Sequence, residues 1–125
     1  MNNKEEQPRD LKERTKEFAL RIVRLYAAVP KTTEAQVIGK QVLRSVTSIG
    51  AHYREATRSR SNAEFISKVE GGLLELEETG CWLELLSDAE IVPSDRLTSL
   101  QDEVEQLTAI LVTCVKNTKQ RKEKR

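Results

Sequence analysis

The sequence predicts an all-α protein, folded as an antiparallel up-down-up-down four-helix bundle. Three observations lead there. Four segments repeat apolar residues at the helical period, the connections between them are short, and the 125 residues hold only five Gly and three Pro. That is too little turn material for an all-β fold. A chain of this length forms one domain with a real core, not two. Hydrophobic residues make up 38% and charged residues 33%, a mix suited to helices with one buried face.

The first helix is expected from about Asp10 to Ala28, with Leu11, Phe18, Ile22 and Leu25 along one stripe and Pro30 closing it, because the residue before a proline is pushed away from helical angles. The second runs from about Thr33 to Thr57 and buries Ile38, Val42, Ile49, Tyr53 and Ala56. Ser61-Asn62-Ala63-Glu64 then reads as a capping box, with Ser61 accepting from the Glu64 amide and the Glu64 carboxylate reaching back to the Ser61 amide.

The third helix, Asn62 to Ser87, carries two apolar stripes: Phe65, Ile66, Val69, Leu73, Leu76 and Leu83 on one, Leu74, Cys81 and Leu85 on the other, with Trp82 apart from both. A surface helix of a monomeric bundle needs one stripe, so Leu74, Cys81, Trp82 and Leu85 are the candidate oligomer interface. The fourth helix begins near Pro93-Ser94-Asp95, with Ser94 or Asp95 as cap, and buries Leu97, Leu100, Val104, Leu107, Leu111 and Cys114. After Val115 the pattern stops. Residues 1–9 are expected to be a flexible N-terminus, 10–117 the bundle, and 118–125 a flexible basic tail.

The net charge of +1 conceals strong segregation. Residues 1–30 carry +2, residues 31–68 carry +4, residues 69–105 carry −10 and residues 106–125 carry +5. Most of these charges belong to solvated faces, but a basic second helix and an acidic third helix are suited to meet, within a subunit or across an interface. Glu70, Glu77 and Glu84 recur every seven residues between the two apolar stripes, where they would be partly buried and need partners. Arg44, Ser48, His52 and Glu55 line the second helix beside its core stripe. Together the seven residues are a candidate interhelical or intersubunit polar network.

Catalytic chemistry is hard to assemble from these residues. A di-iron bundle needs Glu-x-x-His on two helices; His52 is the sole histidine and Ile49 stands three residues before it. No phosphate-cradling Gly-rich loop or nucleophilic triad can be drawn. Cys81 and Cys114 lack metal-ligand spacing and read as buried, reduced thiols. His52 reads as a packed, hydrogen-bonded residue. Gly71-Gly72 and Gly50 fall inside helices, where close helix approach explains them better than ligand binding. The expectation is a non-enzyme without cofactor or metal. No apolar run approaches the roughly 20 residues that cross a bilayer, and the first residues lack the apolar stretch of a secretory signal; a cytoplasmic protein with no membrane contact is expected.

The second and third helices resemble the four helix bundle protein family, whose founding members are encoded in intervening sequences of large-subunit ribosomal RNA genes. Gln41-Val-Leu-Arg-Ser-Val-Thr-Ser-Ile49 is similar to that family's Gln-Leu-x-Arg-Ala-x-x-Ser-Ile segment, Glu55-Ala56 to its Glu-Gly or Glu-Ala pair, and Ser61-x-x-Glu-Phe-Ile66 to its entry into the third helix. Gly71-Gly-Leu-Leu-Glu-Leu-Glu77 resembles its Gly-Ser-x-x-Glu-Leu-Glu. The similarity spans about Asp10 to Asn117, with gapless spacing. His52 stands where the family usually has Asn, and Gly50 where Pro or Ala is common. The resemblance implies a homopentameric ring of bundles, and a fold shared with the accessory variability proteins of diversity-generating retroelements, pentamers that bind reverse transcriptase and nucleic acid. It supplies no catalytic residue.

Two functions from different classes stay open at this point. One is a homo-oligomeric module contacting RNA or DNA non-specifically through Arg54, Arg58, Arg60, Lys116, Lys119, Arg121, Lys122, Lys124 and Arg125. Aromatic residues at 4% leave little for base stacking, so binding would be sequence-independent. The other is a protein scaffold docking a partner such as a polymerase or reverse transcriptase. A weaker third is a ligand-binding bundle with a cavity around Trp82.

Overall fold

Residues 8–123 are described by a computed structural model of the chain, and among them there are four long helices and no strand. α1 spans Pro8–Ala27, α2 Thr33–Thr57, α3 Asn62–Asp88 and α4 Thr98–Glu123, with a single 3-10 turn at Ser94–Arg96 leading into α4. Residues 1–7 and 124–125, the ends of the two segments expected to be flexible, lie outside the described residues.

Contacts between the helices fix the topology. Tyr26 of α1 meets Gly39 of α2 while Thr15 meets Gly50, and Arg14 and Arg21 of α1 reach Glu103 and Ser99 of α4. Between α2 and α3, Arg44 reaches Glu75 and Glu78, and Glu55 reaches Lys68. In each pair one number rises as the other falls, so the neighbours are antiparallel. The order around the bundle is α1, α2, α3, α4, as short connections require.

Each helix buries most of the stripe its periodicity specifies, with Leu25 of α1 only partly covered. Leu11, Phe18 and Ile22 of α1, Val42, Val46, Ile49 and Tyr53 of α2, Leu76, Leu83 and Leu86 of α3, and Leu107 and Leu111 of α4 form one core. At fully buried leucines of this kind the transfer term alone is about 1.5–3 kcal/mol each. Ile38, Phe65, Leu73 and Cys114 are only partly covered.

α2 and α3 approach each other most closely, and small residues permit it. Ser45 and Thr79 are fully buried and share a hydrogen bond of 2.8 Å. A Cβ on Gly71 would lie 2.9 Å from Cε1 of His52, too near without displacing the ring. Gly50 differs: its added Cβ would meet Thr15 Oγ1 at 3.5 Å, ordinary contact, so close approach does not require glycine there. Gly39 marks the third close approach, between α1 and α2: a Cβ added there would lie 2.8 Å from the Tyr26 ring.

Three boundaries depart from the sequence reading. The Ser61 Oγ accepts from the Glu64 amide at 3.1 Å, but the Glu64 carboxylate accepts from the amide of Arg60, one residue farther back than a capping box requires. Neither Ser94 nor Asp95 caps α4; Ser94 opens the 3-10 turn, and its carbonyl accepts from the Thr98 hydroxyl. α4 does not stop after Val115: it remains helical to Glu123, with Thr118 only 2% exposed. For residues 118–123 the expected frayed tail is therefore corrected to helix.

Candidate functional site

Antiparallel topology puts the start of α1, the end of α2, the start of α3 and the end of α4 at one end of the bundle. The basic residues of two separate stretches meet there. Arg54 lies in the last turn of α2, Arg58 and Arg60 in the link to α3, and Lys116, Lys119 and Arg121 in the last turns of α4. All six are exposed. Lys119 pairs with Glu70 at 3.8 Å, whereas Arg54, Arg58, Arg60, Lys116 and Arg121 have no carboxylate partner among the described residues. The backbone of Lys122 is helical but its side chain lies outside the described residues, as do Lys124 and Arg125 altogether. The carboxylates of residues 84–105 sit toward the opposite end.

At the basic end a cup of about 460 Å³ opens between α1, α2, α3 and α4, lined by Leu11, Tyr53, Arg60, Ser61, Phe65 and Arg121 among others, and by no carboxylate among the described residues. Tyr53 is 4% exposed. Burial, and secondarily the neighbouring Cys114, push its phenol up to about 12 from 10.0, so the group stays protonated.

The candidate polar network resolves into separate pairs. Arg44 bridges α2 to α3 through Glu75 at 3.3 Å and through Glu78, not through the Glu70–Glu77–Glu84 line. Ser48 donates to the Arg44 carbonyl on its own helix. Glu55 pairs with Lys68 at 3.2 Å. Glu70, Glu77 and Glu84 are exposed in the single subunit rather than partly buried. His52 packs against Gly71 and Gly72, yet its Nδ1 is buried without a hydrogen-bond partner, which corrects the expected hydrogen bonding. Sequence reasoning passed over Glu75 and Glu78, whose signal was their position flanking the buried Gly72–Leu76–Thr79 line.

The second stripe of α3 faces solvent: Leu74 is 70% and Leu85 44% exposed. Cys81 is exposed and Cys114 half-buried, so the expectation of two buried thiols is corrected. Trp82 packs against the core, with Nε1 buried and unpartnered. Beside the stripe a groove of about 630 Å³ runs between α3 and α4, floored by Leu73, Gly80 and Val104 and edged by Glu77, Glu84 and Glu105. Among the described residues, no group of three or more His, Cys, Asp or Glu could hold a metal ion, and no helix is long and apolar enough to cross a membrane.

Comparison with known proteins follows the same outline. Residues 9–113 match the family described as 23S rRNA-intervening sequence protein. A crystal structure of a protein of unknown function from the S23 ribosomal protein family of Bacteroides thetaiotaomicron is 39% identical. It superposes with a TM-score of 0.79, and the match covers 84% of this chain and 97% of that one. No curated protein is significantly similar.

Proposed function

The chain belongs to the 23S rRNA-intervening sequence protein family, and from that premise we propose a non-enzymatic helical module that assembles with copies of itself and offers its basic end to nucleic-acid backbones. The observation that carries this reading is the gathering of Arg54, Arg58, Arg60, Lys116 and Arg121 at one end with no carboxylate partner among the described residues. Unpaired guanidinium and ammonium groups on a rigid end release counterions when they meet phosphates, which gives salt-dependent affinity without base readout. Neither comparison indicates an enzyme.

Assembly is the second half of the reading. The solvent-facing Leu74, Cys81 and Leu85 sit on the most acidic segment of the chain. A copy presenting the basic flank of α2 would cover them with complementary charge. The head-to-tail arrangement closes into a ring, pentameric as the family resemblance implies. Multivalent display of the basic ends would then raise affinity beyond that of one subunit.

The test is a fluorescence-anisotropy titration of labelled RNA and DNA across salt. Replacing Arg54, Arg58 and Lys116 together by Gln should lower the slope of log affinity against log salt by about 2. Salt-insensitive binding, or an unchanged slope in the variant, would reject the reading. A protein scaffold is the second reading, favoured by the acidic-edged groove between α3 and α4; its partner would be basic and indifferent to those three substitutions.

A further inference from the structure

The cup at the basic end differs from the open surface around it. It is concave, it joins residues from all four helices, and Arg60 and Arg121 both line it with no carboxylate among the described residues of its wall. The Glu64 carboxylate is engaged by the Arg60 amide and lies outside the lining. Arg121 makes one side-chain contact, donating to Thr118 Oγ1 at 3.3 Å, which positions it without neutralising it.

Tyr53 supplies an independent observation. Its ring is buried, its hydroxyl forms no hydrogen bond among the described residues, and that hydroxyl is not sealed from solvent. The phenol of a side chain more than nine-tenths buried therefore ends unpartnered at the wall it lines. A hydroxyl so placed is open to water or to a ligand oxygen. Ser61 adds a further donor: its oxygen accepts from the Glu64 amide, leaving its own hydrogen for a ligand at the N-terminus of α3. Two cations and two hydroxyl donors thus converge, and Leu11, Ala56 and Phe65 form the apolar remainder of the lining.

We propose that this cup binds the terminal phosphate monoester of a nucleotide, with Arg60, Arg121, Tyr53 and Ser61 on the phosphate and the Phe65 side against the sugar and base. A monoester carries up to two negative charges and three free oxygens, matching two guanidinium groups and two hydroxyls. The cup's volume falls within the roughly 300–1,000 Å³ of small-ligand sites. An internal phosphodiester continues as chain on both sides and cannot enter a concave site end-on; a strand end or a free nucleotide can. The Tyr53 phenol is protonated at neutral pH and available as a donor. This inference rests on the basic-end reading for the strand as ligand, while the cup itself can be tested apart from it.

The experiment compares one single-stranded oligonucleotide carrying a 5′-phosphate, a 3′-phosphate or hydroxyls at both ends, at fixed salt, with a nucleoside monophosphate and inorganic phosphate as competitors. Either terminal phosphate should tighten binding about tenfold, and the monophosphate should compete. That preference should vanish in the R60Q/R121Q double variant and weaken in Tyr53→Phe, which keeps the buried ring; circular dichroism checks that both remain folded. Equal, salt-sensitive binding of all three oligonucleotides overturns the cup while leaving the basic-end reading intact. Monophosphate binding that fails in the variants, with no oligonucleotide bound, supports the cup for a free nucleotide and removes the basic-end reading. A preference untouched by both variants overturns the proposal.

Discussion

His52 and Gly71 depend on each other at the scale of single residues. The added Cβ at Gly71 would also lie 3.0 Å from Nδ1, so the imidazole occupies the space that any other residue would fill. The sequence displayed both residues but not their contact, because which residues of two helices face each other is set by their rotation and crossing, which periodicity alone does not fix. Glu90 is a second local exception. It adopts φ 59 just past α3, the left-handed position that usually takes glycine, while the amides of Ile91 and Val92 close the helix end on the Leu86 carbonyl. Tyr53 has a pH consequence. Its phenol is raised from 10.0 to about 12 in the folded protein, so the folded state favours the protonated form. That contribution is fully present below pH 10 and is lost as pH rises through 12. At about 1.4 kcal/mol per unit, it is worth roughly 2–3 kcal/mol. The stability advantage of the natural chain over Tyr53→Phe, measured by urea unfolding, should therefore shrink by about 2 kcal/mol between pH 9 and pH 12. A constant difference would mean that the phenol ionises as freely in the fold as out of it.

Within the helices, periodicity identified all four elements because each buries one continuous stripe, and the buried face of α3 follows Ile66, Val69, Leu76 and Leu83 as spaced. Polar pairing was less legible. Glu70, Glu77 and Glu84 share a line by arithmetic, but α2 lies on the other flank of the buried stripe, so Arg44 meets Glu75 and Glu78. Rotation of a helix about its axis decides which carboxylates face a neighbour, and a seven-residue repeat does not fix that rotation. Arg44 is about half-exposed there, and surface pairs of this kind contribute about 0–1 kcal/mol, so the fold does not depend on the pair. The second apolar stripe of α3 was legible as a pattern, and its exposure in the single subunit is what gives the pattern meaning. Substituting Leu74→Lys and Leu85→Lys removes apolar surface that no residue of the same chain covers. Thermal stability of the monomer should stay within about 0.5 kcal/mol, while sedimentation velocity should show the natural chain as an oligomer and the double variant as a monomer. A monomeric natural chain would sink the assembly half of the proposed function.

For the whole molecule, charge segregation along the chain becomes polarity in space only through the up-down-up-down path, which returns the end of α4 beside the end of α2. The basic residues were all visible in the sequence; that two of them, Arg60 and Arg121, line one cup was not, since they lie on different elements. The last turns of α4 were missed for a related reason. After Val115 the chain offers no apolar residue, and helical periodicity cannot register a threonine as core. Yet Thr118 is buried, its hydroxyl donating to the Cys114 carbonyl at 2.9 Å and accepting from Arg121. Its methyl and satisfied hydroxyl extend the packed layer past Val115, and Lys119 ties the same turn to α3 through Glu70. These turns therefore serve both the bundle and its basic end. A chain ending at Asn117 should lose about 1 kcal/mol, a drop in melting temperature of about 3–5 °C, because the buried Thr118 is lost and the new terminus frays. Restoring only residues 118–121 should recover most of that stability together with Arg121. If the shortened chain melted unchanged, the turns beyond Asn117 would be an appendage to the fold, and any loss of nucleic-acid binding on truncation would report charge alone.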